Sequence, residues 1–102
     1  MITLIADTTN AVVSQTVQLV DINASVVVVI KNAANSEEFP VEVRVGSADF
    51  VPLKVEGKHI LRHDSNFVTL KGRMAFRINK PATGAAVGVY LLAASHEVSV
   101  GG

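Results

Sequence analysis

The chain has 102 residues, nine basic against nine acidic, with no Cys and no Trp. That length suits one domain able to bury a core of its own, and the lack of Cys excludes disulfide and thiolate chemistry. The balanced charge argues against an electrostatic grip on nucleic acid or on an anionic membrane, since both depend on clustered Lys and Arg.

Eighteen residues are Val and only seven are Leu. Branching at Cβ restricts a side chain in a helix and suits the pleated surface of a sheet, so an all-β domain is expected. The opening residues Met1 to Asp7 lack a basic region and meet an acid early, so no signal peptide is expected. The longest uncharged stretch, Pro81 to Ser95, is too short and too rich in Pro and Gly to span a membrane as a helix.

Ile2 to Ala6 reads as a first strand. Val12 to Val20 alternates, with Val13, Val17 and Leu19 on one face and Ser14, Thr16 and Gln18 on the other. Asp21-Ile22-Asn23 turns the chain into Ser25 to Lys31, whose Val26–Ile30 run is apolar on both faces. Such a strand is either central or has its outer face covered by another subunit. Asn32 to Glu38 is a polar loop.

Val41, Val43 and Val45 then point inward between Glu42 and Arg44. After a turn at Gly46 to Asp49, Phe50 to Val55 is a strand that Pro52 confines to an edge or a strand start. Glu56-Gly57-Lys58 is a hairpin tip leading to His59–Arg62. Phe67 to Lys71 and Arg73 to Asn79 are joined tightly around Gly72. In the second of these, Met74, Phe76 and Ile78 face in, and the charges Lys71, Arg73, Arg77 and Lys80 are spaced along a solvated hairpin. Lys80 to Gly84 is a strong turn signal, Ala86 to Leu92 an apolar strand, and Glu97 to Val100 a last one. About eight to ten short strands at this spacing predict a single antiparallel β-sandwich over residues 1–102, jelly-roll or immunoglobulin-like. No Cys-Trp-Cys framework supports a true immunoglobulin domain.

Few residues suggest chemistry. His59 and His63, beside Asp64, resemble a ligand set, but on a strand they stand roughly 13 Å apart at ~3.3 Å per residue, too far to share an ion. His96 approaches them only if the fold brings it there. Glu37 and Glu38 with Asn32 and Asn35 lack the spacing of a calcium loop and read as a solvated turn. Nothing marks a carboxylate pair or a nucleophile elbow around Gly46-Ser47, and no glycine run cradles phosphate. Gly88, inside a strand, marks a bulge or a close backbone approach. An aromatic platform for a glycan would have to come from Phe39, Phe50, Phe67 and Tyr90, with Phe76 assigned to the core.

The segments Val20 to Asn32 and Met74 to Leu91, with the Glu56-Gly57-Lys58 tip between them, form a pattern ending in Arg77-Ile78-Asn79-Lys80-Pro81-Ala82-Thr83 and Val87-Gly88-Val89-Tyr90-Leu91. This arrangement resembles small all-β virion proteins of tailed bacteriophages, such as capsid decoration or cement proteins and head or tail accessory proteins. The resemblance implies a non-enzymatic part of the virion, made in the host cytoplasm, without metal or cofactor. It would act as a dimer or trimer that binds a capsid or other virion protein. Val26, Val28 and Ile30 with Val87, Val89 and Tyr90 are the candidate subunit or capsid contacts; the bland reading makes both segments central strands of the core. A receptor- or glycan-binding module is the alternative function.

Overall fold

The computed structural model describes residues 2–95 and 98–100, and among them there is no helix. Thirteen strand segments occur in the described residues: β1 (Ile2–Thr8), β2 (Val12–Val13), β3 (Val17–Leu19), β4 (Ser25–Lys31), β5 (Glu38–Phe39), β6 (Val41–Arg44), β7 (Val51–Val55), β8 (Lys58–His59), β9 (Leu61–Arg62), β10 (Phe67–Lys71), β11 (Met74–Lys80), β12 (Val87–Ser95) and β13 (Val98–Val100). All pair antiparallel, as the succession of short strands predicts, and the all-β character is the one expected from the Val-rich composition. His96 and the expected strand start at Glu97 lie outside the described residues.

One sheet has the order β1-β12-β4-β10, and a second runs β13-β3-β11-β6-β7-β8 with β2 also on β11. The connectivity is that of one long hairpin. Its arms pair as β1 with β12, β3 with β11, β4 with β10 and β6 with β7, and rolling it up brings β12 against β4 and β11 against β6. That nested pairing is the jelly-roll arrangement, one of the two topologies the sequence left open. A third, two-stranded sheet joins β5 to β9. One buried cluster takes Ile5, Val28, Ile30 and Val89 from the first sheet, Leu19, Val41, Phe76 and Ile78 from the second, and Phe39 and Leu61 from the small one.

Four local expectations are corrected. Val12 to Val20 is not one strand: the chain bends at Ser14, which gives its N–H to the Ile78 carbonyl (2.9 Å) and accepts the Ile78 N–H on its hydroxyl (2.9 Å). The bend reverses the alternation, so Ser14 is buried while Val13 is 52% exposed. Val45 is 71% exposed, because β6 ends at Arg44 and the turn has begun. Lys80 is not on a solvated face; it is fully buried. Finally, β10 and β11 do not form a hairpin: the short link through Gly72 crosses between the two main sheets, its N–H bonded to the Ala24 carbonyl at 3.0 Å. The Glu56-Gly57 tip forms as expected, both residues at positive φ (54° and 78°), the pair of left-handed conformations a two-residue hairpin turn demands.

Candidate interaction surface

In β4 the alternation sorts the apolar run into two faces. Val26, Val28 and Ile30 are buried in the chain's own core, together with Val87 and Val89 of β12. These five side chains are therefore enclosed by their own chain, and the outer face of the sheet is formed by the residues of the other parity. There Val27 and Val29 are half-buried, and Tyr90 lies in register with Val29. Phe67 pairs with Val29 from the opposite side and is 58% exposed. Phe67, Val29, Tyr90 and Thr3 thus form one row across all four strands of the sheet. A register shift between Leu91 and Ala93 leaves Leu92 57% exposed, a further apolar side chain on β12.

A run of five apolar residues does not say in sequence which parity faces the core; here Val26, Val28 and Ile30 do. Phe67, read only as a possible sugar platform, is the residue that marks the outer face.

A polar group borders the row. The Tyr90 hydroxyl donates to the Asp7 carboxylate, Lys31 Nζ stands 3.5 Å from Asp7, and the same ammonium lies 5.3 Å from the Tyr90 ring centroid. The Tyr90 hydrogen bond, seconded by the Lys31 charge, holds the Asp7 carboxyl below its ordinary value, against the opposing effect of burial. The same bond to Asp7 pushes the Tyr90 phenol up. Gly88 makes room for it: a Cβ there would collide with the Asp7 carboxylate and the Tyr90 hydroxyl and sit 2.8 Å from Tyr90 Cζ. The bulge reading of this glycine holds: the β1–β12 register shifts between Ile5 and Thr8, opposite Val89 and Val87, so Gly88 lies at that irregularity, and the close neighbours it admits are the Asp7 and Tyr90 side chains rather than backbone.

The remaining aromatics do not extend the row. Phe39 is buried, and Phe50 packs between the guanidinium groups of Arg44 (4.7 Å to the ring centroid) and Arg77 (4.2 Å). Arg77 in turn donates to Glu42 at 2.7 Å.

A second feature lies at the β5–β9 pair. A cleft of about 460 Å³ is lined there by His63 and Asp64 of the turn after β9, by Arg62, by Lys58 and by Glu38, with Asn35 and Ser36 at the loop side. His59 is not in its lining. Among the described residues no group of three or more His, Asp or Glu side chains is placed to hold a metal ion. Glu37, weighed as a calcium ligand, uses both carboxylate oxygens within the chain: Ala34 N–H donates to one at 2.8 Å and Gly84 N–H to the other at 2.9 Å. Those two bonds hold its carboxyl below the ordinary range.

Comparison with protein-family models, with curated proteins and with solved structures yields no match.

Proposed function

We propose that this is a non-enzymatic assembly protein that associates with a second copy of itself through the outer face of the four-stranded sheet. In that state it decorates or cements a tailed-phage capsid, the role its sequence resemblance implies. The observation that carries the reading is the row Phe67, Val29, Tyr90. An antiparallel sheet with one face in water ordinarily carries polar residues on that face. Here aliphatic and aromatic side chains occupy its centre, while Asp7 and Lys31 stand at the margin. Aromatic centres with charged rims are the anatomy of protein interfaces.

A second copy is the favoured occupant because the chain has zero formal net charge. Copies meet without long-range repulsion, and neutrality promotes association. Burial of ~800 Å² per partner, repeated over symmetric copies, would stabilise a shell without any reaction.

The test is solution mass by light scattering over a concentration series, on the parent protein and on Val29→Lys and Phe67→Glu. A dimer or trimer that either substitution dissociates supports the proposal. A parent protein that stays monomeric at every concentration removes self-association. An oligomer indifferent to both substitutions assigns the contact to another face.

A further inference from the structure

We propose that the cleft between the loop after β4 and the turn after β9 is a binding site for a neutral carbohydrate unit. The site is separate from the apolar row and goes beyond the assembly role.

Its volume, about 460 Å³, lies within the roughly 300–1,000 Å³ typical of small-ligand sites. The lining decides the ligand class by charge. Lys58 and Arg62 are matched by Glu38 and Asp64, so the walls are neutral overall when His63 is neutral. Two carboxylates in the wall oppose an anion such as phosphate, and two cations oppose a metal ion.

What the walls offer is a mixture of pure donors and pure acceptors. Ammonium and guanidinium groups only donate, and ionised carboxylates only accept. Asn35 and Ser36 add groups that do both. A sugar hydroxyl donates one hydrogen bond and accepts others, so a polyol satisfies both kinds of wall group at once. His63 adds an acceptor: its Nδ1 lies 2.9 Å from the Ala33 carbonyl, which can only accept. The Nδ1 therefore carries the proton in the neutral ring, leaving the Nε2 lone pair.

Four of the seven lining side chains are also unspent. Asn35, Ser36, Glu38 and Lys58 carry no side-chain hydrogen bond or ion pair within the described residues. Arg62 Nε is buried without a hydrogen bond, its nearest carboxylate being Asp64 at 3.5 Å. The frame around them is held firm. Reciprocal backbone bonds between Arg62 and Ser65 (3.0 and 3.1 Å) close the turn, His63 ties it to Ala33, and Glu37 ties the facing loop to Gly84.

The experiment follows backbone amide shifts of the intact protein at millimolar concentrations of methyl α-glucoside, methyl α-galactoside and N-acetylglucosamine, with inorganic phosphate in parallel. The expected result is saturable shifts over residues 35–38 and 58–64 with at least one sugar. Glu38→Gln and Lys58→Met, both at exposed positions, each weaken it roughly tenfold or more while leaving the remaining spectrum unchanged. The proposal is overturned by no saturable shift from any sugar, by shifts confined elsewhere, or by binding that both variants retain. Saturation of the same amides by phosphate alone also overturns it, in favour of an anion site.

Discussion

Tyr90 reaches the Asp7 carboxylate across the β1–β12 pair because the residue between them along the sheet, Gly88, has no side chain. The bond couples two ionisations. It favours the charged carboxylate and the neutral phenol, so Asp7 titrates low and Tyr90 high. The phenol, whose folded value is raised, stabilises the fold below its ordinary 10.0, and that contribution is lost as pH rises through the folded value.

Gly88→Ala tests this arrangement directly. The new methyl group must displace the Tyr90 ring or Asp7, and overpacking of this kind costs about 1–3 kcal/mol. Tyr90 is the only tyrosine, so the ultraviolet titration of the phenol reports this one site. In the parent its midpoint lies above 10.0, and in both Gly88→Ala and Asp7→Asn it returns toward that value. A parent midpoint at or below 10.0 would refute the coupling.

Two phenylalanines separate core from surface. Phe76→Ala removes a fully buried ring from the cluster shared by both main sheets and should cost about 3–5 kcal/mol in chemical denaturation, a large share of a small domain's stability. Phe67→Ala removes a ring that is mostly in water and should change monomer stability by no more than about 0.5 kcal/mol. The same Phe67 change should weaken self-association, and that split separates a contact residue from a packing residue.

Acid should expose the role of Glu37. Its carboxylate bonds the backbone N–H groups of Ala34 and Gly84, joining the loop after β4 to the loop after β11. A carboxyl whose folded value is depressed contributes stability above its ordinary value of 4.5 and loses it as pH falls through the folded value. Glu37→Gln should therefore be less stable than the parent at neutral pH and converge with it in acid. Denaturation midpoints measured on both sides of 4.5 check this; a constant difference would show that ionisation is not what matters.

The strand pattern was largely legible in the sequence because burial on one face imposes period two. Ser25–Lys31 and Phe67–Lys71 begin and end where their turn residues said they would. What failed were places where a nonlocal partner decided the outcome. The Ser14 bend exists because its hydroxyl and N–H both engage Ile78, 64 residues away, and no local pattern reports that. The tight link at Gly72 looks the same in sequence whether it closes a hairpin or crosses between sheets. The outer apolar row was hidden for a similar reason, since register across three strands assembles it. The polar cleft combines loop residues 35 and 36 with residues 58–64, a pairing that only the β5–β9 contact creates.

Lys80 is the instructive exception, because the parity was there to be read. Met74, Phe76, Ile78 and Lys80 are every second residue of β11, and the fourth faces inward like the others. Its ammonium donates to the Asn10 carbonyl (2.7 Å), the Pro81 carbonyl (3.0 Å) and the Thr83 hydroxyl (3.1 Å), joining the loop after β1 to the one after β11. Burial lowers its pKa, with Glu37 opposing. Two effects compete in Lys80→Met: relief of the buried charge, and loss of the donors to two carbonyls and a hydroxyl. The acceptors belong to partly exposed loops where water replaces some of the loss, so the net cost at neutral pH should be about 1–2 kcal/mol. The pH dependence has a definite sign. Between the depressed folded value and the ordinary 10.5 the unfolded chain binds the extra proton, so parent stability gains from Lys80 as pH rises through that window. Tyr90 changes stability in the opposite direction near 10.0, but it is present in both proteins and cancels in their difference. The gap between parent and Lys80→Met should accordingly widen from neutral pH toward 10.5, and a gap that stays constant would mean that the ammonium is not held at a cost.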